Sequence, residues 1–403
     1  MSKTVLLIGT LDTKGHEYAY LIDLIRARGL DTFMLDAGVL GEPVFTPDSP
    51  AALTAEAGGA SLAELREKRD RGYAIDVMGR GARALALKFL AEGKFDGVIS
   101  MGGSGGTSIG TTAMQALPVG LPKLQLSTMA SGDVGPYVGV KDITMMYSVV
   151  DVSGLNRLSR RIFANAAGAI GGMVEQTMPK AEEKPLVGAT MFGVTTPCVD
   201  RVRERMEADG YEMLVFHAVG SGGRSFEALI SDGVFDGVVD ATTTEWCDEL
   251  VGGVLSAGPE RLDAAARTGL PQVVSLGALD MVNFGPRDTL PAKFETRNIY
   301  IHNPQVTLMR TTPEECKKLG EIIAEKLNKT TGPTALYIPL KGVSAIDVEG
   351  MPFHDPVADA ALFDALRKNL DRSKVDLVEL DMAINDPAFA DAMVDRLQKM
   401  LKK

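Results

Sequence analysis

The chain has 403 residues, of which 45% are hydrophobic and 24% are charged. This length exceeds that of one ordinary domain and predicts two. The net charge of −11 argues against a nucleic-acid-binding surface and against attraction to anionic membranes. Because there is no run of about 18 apolar residues and no secretory signal before the first strand-like segment, we expect a cytoplasmic protein without a membrane span.

Strand-like and helix-like segments alternate in the first half of the chain. Short apolar runs predict strands, and apolar residues at helical spacing predict helices. The expected strands are 4–8, 31–35, 97–100, 124–127 and 143–150. The expected helices are 14–28, 61–70, 74–92 and 109–117. This order predicts a parallel sheet that is covered by helices on both faces.

From Pro185 onward the pattern begins again. Four segments of the second half match the first half in order: Gly193 with Gly9 at an offset of 184, Gly210 with Gly29 at 181, Gly237 with Gly97 at 140, and Pro271 with Pro122 at 149. Offsets that change only at loops are typical of a diverged duplication. The sequence therefore predicts an α/β protein with two Rossmann-like, doubly wound domains and mainly parallel sheets, at residues 1–183 and 184–403.

A glycine-rich segment follows the expected strand 97–100. Four of the six residues in 101–106 are glycine, and an expected helix follows them. Backbone amides and a helix N-terminus that converge in this way form either an anion site or only a tight turn. No Lys-Ser/Thr pair follows, as a P-loop requires. Ser108 occupies the position of the third glycine in G-x-G-x-x-G. A nicotinamide dehydrogenase is therefore a weaker hypothesis than another anion-binding protein.

Other polar residues of the first half follow expected strands. Residues 9–15 open a helix, where Asp12 or Thr13 is either the helix cap or a ligand contact, with Asp12 a candidate magnesium ligand. Asp36 ends a strand, at the position where dinucleotide folds bind a ribose hydroxyl. The residues expected at a nucleotide are Gly9, Thr10, Asp12, Thr13, Lys14, Asp36, Gly102, Gly103, Ser104, Gly105, Gly106, Thr107, Thr128 and Ser131.

The second half offers arginines that suit a carboxylate or phosphate, and a histidine and a glutamate that suit acid–base chemistry. Each of them alone is also explained as a structural or surface residue, so the catalytic residues stay unknown. The candidates for a small anionic substrate in a cleft between the domains are Arg224, Thr243, Glu245, Arg297, His302 and Arg310.

Several of these motifs together resemble a known family, which is named for the ATP-binding domain of a plant tobamovirus-resistance protein and has many uncharacterised bacterial relatives. The motifs are residues 9–14, 101–107, 127–132, 147–156, 277–283 and 302–311. The resemblance runs nearly end to end. It implies two Rossmann-like domains, ATP binding by the first, and self-association as a homodimer or higher homo-oligomer. It implies no reaction.

From the residues and the resemblance we expect an ATP-binding cytoplasmic protein that uses ATP with Mg²⁺. Phosphoryl or nucleotidyl transfer to a small anionic metabolite is the most economical chemistry, because it needs mainly positioning and charge neutralisation. The alternative is a non-catalytic ATP-binding sensor or interaction protein, in which the nucleotide sets domain closure. The lack of an evident general base in the sequence favours this alternative.

Overall fold

Strands and helices alternate through both halves of the computed structural model, which describes residues 2–179 and 183–402. The chain divides into two compact units, Met1–Lys180 and Ala181–Lys403, here called the N-unit and the C-unit. The prediction of a two-domain α/β protein is confirmed. Among the residues described, no helix is long and apolar enough to cross a membrane.

The N-unit is built on one sheet. Its strands are β1 (Thr4–Gly9), β2 (Asp31–Asp36), β3 (Gly97–Gly102), β4 (Lys123–Ser127) and β5 (Thr144–Tyr147). Its helices are α1 (Leu11–Arg26), α2 (Ala51–Ala57), α3 (Leu62–Lys68), α4 (Arg71–Ala91), α5 (Ser104–Ala116), α6 (Gly135–Val138) and α7 (Arg157–Glu175). The strands are parallel in the order β2-β1-β3-β4-β5.

The two faces of this sheet are covered by different helices because side chains alternate along a strand. Val5 and Leu7 of β1 pack with apolar residues of α1 and α7. Leu6 and Ile8 of the same strand pack with apolar residues of α4 and α5. The sheet is therefore buried on both faces, as the apolar runs predict.

The C-unit contains two sheets. Its strands are β6 (Leu186–Met191), β7 (Glu212–His217), β8 (Gly237–Thr242), β9 (Gln272–Gly277), β10 (Met281–Phe284), β11 (Ile299–Asn303), β12 (Val306–Arg310), β13 (Thr334–Pro339) and β14 (Val375–Leu380). Its helices are α8 (Thr196–Ala208), α9 (Ser221–Ser231), α10 (Glu245–Val251), α11 (Asp263–Thr268), α12 (Pro313–Leu327), α13 (Pro356–Asn369) and α14 (Pro387–Leu401). The larger sheet is parallel, in the order β14-β13-β9-β8-β6-β7. The smaller sheet is antiparallel, in the order β10-β12-β11, and was not predicted from the sequence.

The larger sheet repeats the topology of the N-unit and adds one strand at its far edge. The hydrogen bonds that start the strands recur as well. The amide of Thr4 donates to Asp96 Oδ2 at 2.8 Å, and the amide of Leu186 donates to Asp236 Oδ2 at 2.8 Å. The offsets of 181, 140 and 149 for the second, third and fourth strands are confirmed by the strand bounds. These repeated details support a duplication.

One sequence match of the duplication is wrong by two residues. The amide of Ala37 donates to Gly9 O at 2.7 Å, and the amide of Ala218 donates to Met191 O at 2.7 Å. Met191 is therefore the equivalent of Gly9, which gives an offset of 182 in place of 184. The sequence match chose Gly193 because it is a glycine, whereas the backbone pairing fixes the correspondence.

Candidate functional site

The N-unit has its switch point between β1 and β3. Successive connections of a 2-1-3-4-5 sheet diverge there, and ligands of open α/β sheets bind beyond the carboxyl ends of the strands at this point. Gly9 ends β1 and Gly102 ends β3, and β1 pairs with β3 with Ile8 opposite Ser100. The sequence-predicted segments 9–14 and 101–107 therefore lie at one edge of the sheet, on adjacent strands.

Tyr18 of α1, which is fully buried, connects the ends of β1 and β3. Its hydroxyl lies 2.6 Å from Ile8 O and accepts a hydrogen bond from the Met101 amide at 2.9 Å. Burial raises the pKa of Tyr18 to about 12. A methyl group on Gly9 would lie 2.0 Å from the tyrosine ring, so packing alone requires a glycine at this position.

Strand β3 joins helix α5 through a single residue, Gly103. The sequence reading expected a loop at 101–107 and a helix from Ile109, but the helix begins at Ser104. A methyl group on Gly102 would lie 3.1 Å from Gly106 Cα, and one on Gly106 would lie 3.3 Å from Met101 O. These two glycines therefore allow a strand and a helix to meet without a loop.

Gly103 is different, because neither backbone nor packing requires a glycine there. Its φ of −78° is open to every residue, and it supplies no side chain to cap α5. A methyl group on Gly103 would have one neighbour within 4 Å, Thr128 Oγ1 at 3.8 Å. The absent side chain leaves open space in front of the helix N-terminus, whose first amides have no partner within the helix.

The N-terminus of α5 is bordered by hydroxyl and guanidinium groups. Thr128 lies beside Gly103, and Arg71 Nη2 would lie 3.7 Å from a methyl group on Gly105. Thr107 and Ser127 are buried, and their hydroxyls lie 2.6 Å apart, so they join α5 to β4. Sequence reasoning missed Arg71, because only the packing of α4 against α5 brings it here. Ser131 is exposed in the turn after β4.

Thr10, Thr13 and Lys14 lie at the start of α1, just after β1. The hydroxyls of Thr10 and Thr13 lie 2.8 Å apart. The amide of Lys14 donates to Thr10 O at 2.8 Å, and Lys14 departs from helical geometry at φ −130° and ψ 17°. Thr13 is exposed and the other two residues are partly exposed. Two hydroxyls and one ammonium group are therefore available at the end of the strand next to β3.

The two acidic residues predicted at the nucleotide accept hydrogen bonds from backbone amides. Asp12 Oδ2 accepts from the amides of Leu40 at 2.7 Å and Gly41 at 3.3 Å, and its Oδ1 is shielded from solvent. Asp36 is 2% exposed, and its Oδ1 accepts from the amides of Leu11 at 3.0 Å and Gly38 at 2.9 Å.

Burial raises the pKa of Asp36 despite these amide hydrogen bonds. Asp36 is buried and occupied by amides, which does not fit a ribose acceptor. Asp12 Oδ1 has no hydrogen-bond partner, and its role as a magnesium ligand stays a prediction. Residues 2–179 and 183–402 contain no group of three or more His, Cys, Asp or Glu side chains arranged to hold a metal ion.

The predicted substrate residues of the C-unit do not form one site. Arg224 and His302 are exposed, and Arg224 donates to Ser256 O at 3.0 Å. Arg297 donates to Glu315 at 2.6 and 3.0 Å. Thr243, Glu245 and Arg310 are 0%, 1% and 4% exposed. Arg310 binds Asp347 and Asp359, whereas Glu245 binds Arg261, so these two residues belong to separate buried clusters.

Arg261 is the centre of an ion cluster that sequence reasoning missed. It is 1% exposed and donates to Asp240 at 2.5 and 2.6 Å and to Glu245 at 2.8 Å. Burial lowers the pKa of Arg261, but the carboxylates around it raise the pKa well above its ordinary value. Glu245 Oε1 also accepts from the amides of Gly220 and Gly223 at 2.7 and 3.0 Å. The N-terminus of α9 is therefore neutralised by the protein itself, whereas α5 has no side-chain cap.

Comparison with known proteins agrees with the two-unit organisation. The Uncharacterised protein family (UPF0261) N-terminal domain matches residues 3–179, and its C-terminal domain matches residues 184–401. A UPF0261 protein of Clostridium tetani is 54% identical over 404 residues, covering 100% of both chains. The ToMV resistance protein Tm-1(GCR237) of Solanum lycopersicum is 40% identical over 429 residues, covering 100% of this chain and 56% of the tomato protein.

Likeness to solved structures is low. A thioesterase domain from the curacin biosynthetic pathway is 14% identical with a TM-score of 0.26, covering 54% of this chain and 91% of that one. The family models and the bacterial and tomato relatives nevertheless confirm the resemblance that was inferred from the motifs. The chain belongs to the uncharacterised protein family UPF0261.

Proposed function

We propose that the N-unit binds ATP, with the phosphates at the N-terminus of α5. The observation that carries this proposal is the open space at Gly103, in front of amides that lack a side-chain cap. A helix N-terminus with free amides attracts phosphate through hydrogen bonds and the helix dipole. Its position beside the switch point is where ligands of this fold class bind. The motif resemblance described above implies the same ligand.

Different residues would contact different parts of the triphosphate. The amides of Ser104, Gly105 and Gly106 would bind one phosphate group, with Thr128 and Arg71 at its side. Thr10, Thr13 and Lys14 would bind a further phosphate from the end of β1. Because the protein has a net charge of −11, these local groups must supply the attraction themselves. Magnesium would be held by the phosphates and water, with Asp12 Oδ1, which has no hydrogen-bond partner, as the candidate protein ligand.

The bound ATP would serve one of two purposes. As a reactant it would supply a phosphoryl or nucleotidyl group to a small anionic metabolite. As a regulatory ligand it would fix the arrangement of a self-associating protein, here proposed as a homodimer. The burial of Asp36 and its hydrogen bonds to backbone amides favour the regulatory role, because this carboxyl group is not available as a general base.

Calorimetric titration of the full chain tests the proposal. ATP and ADP are expected to bind, AMP at least about tenfold more weakly, and inorganic tripolyphosphate is expected to compete with ATP, because charged phosphate contacts carry the affinity. NAD is expected to bind much more weakly than ATP. Equal affinity for AMP and ATP, or no heat with either at millimolar concentration, would contradict the phosphate assignment. Phosphorus NMR of ATP with Mg²⁺ and a panel of small carboxylic acids then separates a transferase from a sensor.

Substitution of Arg71 provides a side-chain test with a matched control on the same helix. Arg71→Gln is expected to weaken ATP binding about tenfold, since a hydrogen bond to a charged group contributes about 1.5–3 kcal/mol. Arg80→Gln removes an exposed arginine of α4 that pairs with Asp76, and it is expected to leave affinity unchanged. The measurement is the dissociation constant for ATP by calorimetry. Equal affinities of the two variants would remove Arg71 from the site.

A further inference from the structure

The larger sheet of the C-unit has its switch point between β6 and β8, and a segment of the chain lies near it. Residues 340–355, here called the strap, connect β13 to α13 without a helix or strand. The amide of Ala345 donates to Val194 O, just beyond β6, at 3.0 Å. The amide of Ala278, just beyond β9, donates to Val343 O at 2.9 Å. The strap therefore lies beside the carboxyl ends of β6 and β9, where an open parallel sheet would otherwise present a ligand site.

One buried guanidinium group contacts the middle and the C-terminal part of the strap. Arg310, at the end of β12, is 4% exposed. Its Nη2 donates to Asp347 Oδ1 at 3.0 Å, and its Nε donates to Phe353 O at 2.7 Å. The same Nη2 donates to Asp359 Oδ1 of α13 at 2.6 Å. Asp347 Oδ2 accepts a hydrogen bond from the amide of Val343 at 2.8 Å, which is a contact within the strap.

The charges around Arg310 do not balance. Three carboxyl groups lie in the cluster: Asp280 and Asp347 are 0% exposed, and Asp359 is 8% exposed. Asp280 Oδ2 accepts from Ser344 Oγ of the strap at 2.7 Å, whereas its Oδ1 is buried without a hydrogen-bond partner. One positive charge cannot compensate three buried negative charges, because unpaired buried charge is strongly unfavourable.

The other titratable groups that face the cluster do not correct this balance. Burial raises the thiol pKa values of Cys247 on α10 and Cys316 on α12, so both thiols stay neutral. His354 Nδ1 lies 3.1 Å from Asp347 O and is exposed, and Asp355 at the start of α13 adds a further negative charge near Asp359. The cluster therefore retains a proton at neutral pH, shared among interacting carboxyl groups.

Burial, with Asp280 and Asp359 nearby, raises the pKa of Asp347 to about 9. Burial raises the pKa of Asp280 to about 6, although Arg310 lowers it. A carboxyl group whose pKa is raised by the closed arrangement favours that arrangement at low pH. This contribution disappears as the pH rises through the raised value, here toward about 9.

We propose that the strap is a proton-dependent cover of the C-unit switch point, closed while the Asp280–Asp347–Asp359 cluster holds a proton and released when it loses that proton. The proton leaves to solvent, and the cluster then contains unbalanced negative charge. Release of the strap would free Val194 O and the amide of Ala278 at the ends of β6 and β9. The C-unit is thus masked by its own chain under conditions that keep the cluster protonated.

Hydrogen–deuterium exchange of the full chain between pH 6.5 and 9.5 tests this proposal. After correction for the chemical exchange rate, opening of the strap is expected to increase by up to about tenfold per pH unit, as one-proton linkage requires. Peptides from β9 and β13 are expected to show no such slope. Asp347→Asn, which removes one ionisable carboxyl group from the cluster, is expected to remove the slope. The control Asp364→Asn, which changes an exposed partner of Arg367 on α13, is expected to retain it.

Two outcomes would overturn the proposal. One is an increase of strap opening with pH that is no greater than the increase for peptides from β9 and β13. The other is an unchanged slope in Asp347→Asn. If that variant does not fold, as judged by the fluorescence of Trp246, the decision passes to Asp359→Asn, which changes the most exposed carboxyl group of the cluster. If this second variant has the same pH slope as the native chain, the carboxyl cluster does not keep the strap closed.

Discussion

Gly103→Val is expected to abolish ATP binding and to leave both units folded. The added side chain would occupy the open space in front of α5, next to Thr128 Oγ1, and would keep a phosphate away from the amides of Ser104, Gly105 and Gly106. A loss of at least about 100-fold in affinity, equivalent to about 2.8 kcal/mol, is expected from calorimetry. The effect on stability should stay within about 1 kcal/mol, because valine is only a poorer helix cap than glycine.

The control for this experiment is Gly168→Val in α7. Gly168 lies in a helix and also has open space beside it, since a methyl group there would meet nothing within 4 Å. ATP affinity is expected to match that of the unchanged protein. If Gly103→Val binds ATP normally while remaining folded, the phosphates do not lie at the N-terminus of α5 and the proposed site is wrong.

Arg261→Met is expected to produce the largest loss of stability in the C-unit. The substitution leaves Asp240 and Glu245 buried without their positive partner, with Glu227 at the edge of the cluster. Removal of one member of a buried ion cluster costs about 3–5 kcal/mol. Trp246 is the only tryptophan of the chain and is buried in α10, so urea unfolding followed by its fluorescence reports on the C-unit.

The loss should depend on pH in a defined direction. Burial raises the pKa of Glu227, and Arg261 lowers it. Loss of Arg261 therefore raises that pKa further in the folded variant, so the deficit is small near the unfolded pKa and grows as the pH rises. A deficit at pH 8 that exceeds the deficit at pH 5.5 is therefore expected. The control Arg224→Met removes an exposed arginine with one contact to Ser256 O. An Arg261→Met variant as stable as this control would show that the cluster contributes nothing net.

Local patterns were sufficient to predict the two parallel sheets. Apolar runs such as 4–8 and 97–100 became buried strands of parallel sheets, because a sheet covered on both faces needs continuous apolar segments. The antiparallel sheet of β10, β11 and β12 was not predicted, because its short strands lack a clear alternation. The start of α5 was misplaced because glycines usually interrupt helices, whereas here two of them allow the helix to pack directly against the end of β3.

Side-chain roles in the candidate site were less predictable than its location. The order of strands brought residues 9–14 and 101–107 to adjacent strand ends, as expected for this topology. Sequence alone does not tell an exposed arginine from a buried one, so Arg71 was missed and Arg310 was taken for a ligand clamp. Asp12 and Asp36 have the residue types of ligand contacts, but one oxygen of each accepts a hydrogen bond from a backbone amide of the turn after β2. These distinctions depend on tertiary contacts between distant segments.

The direct junction of β3 and α5 has a thermodynamic consequence. Ordering a flexible loop around a ligand costs about 1–2 kcal/mol for each residue that loses its backbone freedom. Only Gly103 separates the last residue of a buried strand from the first turn of a 13-residue helix. The first amides of α5 therefore have their orientation before any ligand arrives, and a phosphate bound there as proposed would not pay the cost of ordering a loop.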